Sequence, residues 1–183
     1  MLFFLATALA DAPASTPVGR MAALYDEVCL KTFPIDAAVD AIMASKGATP
    51  LTPEEVRVTL VDDPGRGWLL DDGDRKIQVT LELPPFHACS VRAMVSSGPQ
   101  DMEAYKKVSQ AFEDEHRGFR PAAPYDKDIA GLHIHAVGEQ RDLPGNSTES
   151  LLVFDQRVTD PQRRAAGETA VSLRFVHQIH SLN

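Results

Sequence analysis

KIQVTLELPPFHACSVRAMV, residues 76–95, decides the fold. In its first half Ile77, Val79, Leu81 and Leu83 alternate with the polar Gln78, Thr80 and Glu82. A period of two puts the apolar set on one face of a strand and the polar set on the other, which predicts a half-buried β-strand. Pro84-Pro85 offers no backbone N–H and breaks the run. Cys89, Val91, Ala93 and Val95 then repeat the same period and predict the inner face of a second strand. Upstream, Asp71-Asp72-Gly73-Asp74 separates the first of these strands from a short one at Trp68–Leu70, and Asp-Gly between two such runs is a hairpin signal.

Toward the N-terminus the period changes. Thr16-Pro17 supplies an N-cap followed by proline at the first helical position. Met21, Leu24, Tyr25, Val28 and Cys29 then fall on one helical face. Pro34 ends or bends this helix. Asp36 can cap a second helix carrying Val39, Ile42 and Met43, which Gly47 terminates. Thr52-Pro53-Glu54-Glu55 resembles another helix start, but Val56, Val58 and Leu60 alternate with Arg57 and Thr59. We therefore read residues 52–55 as a loop or single turn, followed by a strand and a turn at Asp62–Gly67.

Toward the C-terminus, Ser97-Gly98-Pro99 opens a third helix. Met102, Tyr105, Val108 and Phe112 form its buried stripe, Lys106, Lys107, Glu113 and Glu115 form its wet face, and Gly118 closes it. Phe119–Ile129 reads as a loop. Three strands follow: Leu132, Ile134 and Ala136 alternating with His133 and His135, then Leu151–Val158, then Val171, Leu173 and Phe175 alternating with Ser172 and Arg174. Thr159–Glu168 is a polar connection. The order of helices, strands, helix and strands shows no steady strand–helix alternation. It predicts an α+β fold: a mostly antiparallel sheet of about six to seven strands, with the N-terminal helices and one central helix packed on it.

Composition agrees with one globular domain. The chain has 183 residues, 44% hydrophobic and 24% charged, with a net charge of −8. The negative charge argues against nucleic acid or anionic membranes as partners. No stretch after residue 10 has the length and hydrophobicity of a transmembrane segment. Residues 1–10, MLFFLATALA, read as the hydrophobic part of an export signal, with Ala8-Leu9-Ala10 fitting the small-x-small cleavage rule. Residues 11–16 (DAPAST) read as a flexible leader and 17–183 as a single domain. An exported chain works in an oxidising compartment, where Cys29 and Cys89, the two cysteines of the sequence, would form a disulfide rather than stay as buried thiols.

Candidate chemistry is sparse. His133 and His135, two apart on a strand, share a face and could reach one metal ion, with His177 or His180 as a third ligand. The simpler reading places both on the solvent side of the strand. His87 and Cys89 form an HxC pair, the raw material of an activated thiol, unless Cys29 consumes it. The acidic turn at Asp71–Asp74 lacks the ligand spacing and closing glutamate of an EF-hand. Trp68, the single tryptophan, reads as a core anchor. Asn146-Ser147-Thr148 matches a glycosylation sequon. The sequence holds no phosphate loop, GxSxG, HExxH or CxxC motif, and nothing in it implies a cofactor.

DEVCLKTFP at 26–34 and FHACSVR at 86–92, together with the apolar leader, resemble a family of small exported bacterial, lipoprotein-like proteins of unassigned function. The resemblance covers the helix around Cys29 and the strand around Cys89. It implies a periplasmic or secreted protein and carries no activity. The expectation is an exported, non-enzymatic binding or interaction module held by a Cys29–Cys89 disulfide, for an envelope partner or a small ligand. The alternative is a hydrolase, metal-dependent through His133 and His135 or thiol-based through Cys89 and His87.

Overall fold

The computed structural model describes residues 16–73, 75–97 and 100–181. The expected export signal at 1–10, residues 11–15 of the expected leader, Asp74 of the acidic turn and Gly98-Pro99 lie outside the described residues.

Thr16 caps helix α1 (Pro17–Tyr25): its side chain accepts from the Gly19 N–H at 3.0 Å, with proline at the helix start. A π-helical turn, Asp26–Leu30, continues it. Met21, Tyr25, Val28 and Cys29 are all fully buried, which is the face that the 3.6 period gives. Helix α2 (Asp36–Ser45) buries Val39 and Met43 and closes with Gly47 at a φ of 65°. Asp36 is its first residue and not its cap. The Asp36 carboxylate instead meets His87 Nε2 at 2.7 Å.

Among the described residues the sheet has nine strands, more than the six to seven expected, and every neighbouring pair is antiparallel. They are β1 (Thr49–Pro50), β2 (Gly65–Asp71), β3 (Lys76–Glu82), β4 (Phe86–Val95), β5 (Arg120–Pro121), β6 (Tyr125–Ile129), β7 (Leu132–Leu143), β8 (Ser147–Val158) and β9 (Val171–Ser181). Their order is β1-β2-β3-β4-β9-β8-β7, and β5 and β6 both pair with β7. The last strand thus inserts beside β4 and joins the two hairpin runs into one sheet.

Two expectations are corrected. Val56, Val58 and Leu60 do not belong to a strand: residues Pro53–Thr59 form helix α3. Thr52 and Glu55 make a reciprocal capping box, which satisfies orphan N–H groups at the helix start. The alternation misled because it marks no buried face, Val58 being 63% exposed. Phe119–Ile129 is likewise more than a loop, since it supplies β5 and β6. The polar connection after β8 holds a short helix, α5 (Pro161–Ala165).

Helix α4 (Glu103–Glu115) buries Tyr105, Ser109 and Phe112. Its Tyr105 ring lies 4.5 Å from Phe175 of β9 and 5.8 Å from Tyr25 of α1, aromatic pairs worth about 1 kcal/mol each beyond area burial. Trp68 is buried, as a core anchor should be. Cys29 and Cys89 form a disulfide with a Cα–Cα separation of 5.4 Å, tying the π turn to β4. Among the described residues no helix is long and apolar enough to cross a membrane.

Candidate functional site

The face of the sheet that carries α1 and α4 is lined by odd-numbered residues of β7, β8 and β9. A cleft of about 760 Å³ opens between α4 and this face, within the size range of small-molecule sites. Its floor is apolar: Val137, Leu151, Val153, Val171 and Leu173. Met102, at the cap of α4, and Tyr105 of α4 form one wall, and Pro121, Ala122 and Pro124 form the other. Gly138 makes that second wall possible. A Cβ there would sit 2.0 Å from the Leu151 carbonyl oxygen, so only glycine lets β7 approach β8 this closely. The Gly138 carbonyl then accepts from Ala122 N–H at 2.9 Å and holds the wall in place.

The cleft is polar at its ends. At one end are His135, Asp155 and Arg157; Arg157 donates twice to Asp155, at 2.8 and 2.6 Å. At the other end are Ser109 and Glu113 of α4 and Glu139 of β7. Burial, then the fields of Glu139 and Asp114, push the Glu113 carboxyl above its ordinary range. Burial also pushes the Tyr105 hydroxyl well up, with the fields of Glu113 and Glu139 adding to it.

His133 and His135 do share a face, and it is the cleft side, not the opposite one that carries Leu132. They nevertheless take separate surroundings. His135 lines the cleft, whereas His133 sits between Asp128, at 3.1 Å from Nδ1, and Asp126, at 3.6 Å from Nε2. Neither His177 nor His180 joins them: His177 is buried beside the disulfide, and His180 stacks on Phe86 at 4.5 Å. Among the described residues no group of three or more His, Cys, Asp or Glu side chains is arranged to hold a metal. The HxC pair is likewise divided, with His87 on Asp36 and Cys89 in the disulfide, and no free cysteine remains.

A second polar group lies beside the disulfide. His177, 1% exposed, sits opposite Cys89 in the β4–β9 register. Its Nδ1 is 2.8 Å from the Cys29 carbonyl oxygen and its Nε2 is 2.8 Å from Glu149. Arg141 Nε donates to the other Glu149 oxygen. Burial pushes the Glu149 carboxyl up, but the hydrogen bonds and charges of His177 and Arg141 outweigh it and hold the group below its usual range. Both ring nitrogens of His177 therefore lie against oxygens inside the protein. This group stiffens the junction of π turn and sheet.

The sequence reading placed Tyr105 in the core and Glu113 in solvent. A signal was present: Tyr105, Ser109 and Glu113 follow at i, i+4 and i+8, one face of α4. Glu139 shares the parity of His133 and His135, hence their face of β7. Which strand faces α4 is a long-range fact that neither spacing contains. No protein-family model matches this chain, no curated protein is significantly similar to it, and no solved structure significantly matches its fold.

Proposed function

We propose that the protein is an exported, periplasmic binding module that holds a small amphiphilic ligand in the cleft between α4 and the sheet. The observation that carries this reading is the cleft itself, with an apolar floor and convergent polar side chains at its two ends, the usual composition of a small-molecule site. The disulfide supports export, since such bonds persist in oxidising compartments, as does the apolar leader. A non-enzymatic role fits the pairing of the other reactive groups: Glu149 and His177 are spent on each other, and Cys89 on Cys29.

The test is titration with a neutral environment-sensitive dye such as N-phenyl-naphthylamine. Saturable binding is expected, and Val137→Trp should weaken it about tenfold or more. Val137 is 43% exposed on the cleft floor, so a larger side chain fills the cleft without overpacking the core. Equal binding by wild type and a folded Val137→Trp variant would remove the cleft from the account.

A further inference from the structure

The ionic groups around the cleft divide into those with partners and those without. Asp155 and Arg157 satisfy each other. Lys106, on the rim, is held by Glu103 at 2.8 Å. Among the described residues, Glu113 and Glu139 have no ion pair, and both line the same end of the cleft. Buried or half-buried charges are ordinarily paired, and two carboxylates lining one end of a cleft are a poor arrangement without a cation between them.

Tyr105 adds an independent observation. Its side chain is 7% exposed and lines this end of the cleft, and among the described residues no hydrogen bond satisfies its hydroxyl. The hydroxyl is not among the fully buried atoms that lack a partner, so it keeps access to the cleft and can accept from a bound donor.

Resting on the reading of the cleft as a binding site, we infer that its ligand is an amphiphilic amine: an ammonium group between Glu113 and Glu139 against Tyr105, and an apolar chain running over Leu151 and Val153 toward His135. The ammonium has three donors, enough for both carboxylates and the Tyr105 oxygen. Along β8 the path from Leu151 to Asp155 is four residues, roughly 13 Å of strand, which suits a medium-length alkyl chain. The Asp155–Arg157 pair at the far end is internally neutral and does not select a charge.

The experiment compares decylamine, decanol and decanoate by calorimetric titration at neutral pH, against wild type and the Glu113→Gln/Glu139→Gln variant. Wild type should prefer the amine to the alcohol by about tenfold to a hundredfold, the range for charge-assisted hydrogen bonds, and bind decanoate most weakly. In the variant the amine-to-alcohol ratio should fall to about threefold or less. Alcohol or carboxylate binding as tight as the amine in wild type, or an undiminished preference in the variant, overturns the inference and leaves the cleft reading standing. Absence of binding by all three overturns the cleft reading and the inference with it.

Discussion

Glu149→Ala tests the interior most sharply. Glu149 is 5% exposed and accepts hydrogen bonds from His177 and Arg141. Each charge-assisted bond of this kind is worth about 1.5–3 kcal/mol. The full sum is not expected, because Arg141, 20% exposed on its side chain, can turn to water. Breaking a buried pair by removing one partner costs about 3–5 kcal/mol, and we place the loss at about 3 kcal/mol, or roughly 6–12 °C in Tm for a domain of this size. Glu149→Gln keeps an acceptor for His177 and should lose less. The pH dependence has a definite sign. Glu149 is held below its ordinary value in the folded state, so its contribution is fully present above the unfolded carboxyl value of about 4.3 and is lost as pH falls through the lower folded value. Urea unfolding at neutral pH and at a series of acid pH values measures it. The gap between wild type and Glu149→Ala should narrow below about pH 4. A neutral-pH difference under about 1 kcal/mol, or a gap that widens in acid, would refute the reasoning.

Other outcomes follow from the same structure. The Cys29→Ala/Cys89→Ala variant should lose about 4 kcal/mol in the chain-entropy model, since the bond spans a sequence separation of 60; a loss under about 1 kcal/mol in urea unfolding would show that the loop constraint is not acting. Tyr25→Phe removes the one buried side-chain polar atom without a hydrogen-bond partner among the described residues. Stability should stay level or rise by about 1 kcal/mol, and a clear fall in Tm would mean that the hydroxyl has a partner.

The parts of the fold legible in the sequence are those set by local period and turn chemistry. Ile77–Leu81 and Cys89–Val95 alternate because one face packs into the apolar core, while Thr80 and Ser90, buried on the other face, bond to each other, and α1 buries the stripe that its spacing marks. Thr52–Thr59 failed because a short exposed helix is decided by its capping box, while Val56 and Val58 happened to alternate. β5 and β6 failed because two exposed edge segments carry no burial pattern to read. The cysteine pair was legible since both residues sat on apolar faces. The cleft was not. Glu113 and Glu139 are separated in sequence by the β5–β6 segment, and only the β7–β8–β9 register brings β7 under α4. Glu149 and His177, 28 residues apart on neighbouring strands, meet through the same register.

The claim that the cleft between α4 and the sheet is the binding site is tested most directly by titrating nitrogen-labelled protein with decylamine and following backbone amide shifts. The account predicts saturable shifts confined to Tyr105, Ser109 and Glu113 of α4 and to β7 and β8 from His135 to Glu139 and Leu151 to Asp155. Ser90, Arg92 and Arg174, on the opposite face of the sheet, should stay unmoved. Shifts centred on that opposite face, or none that saturate, would contradict it.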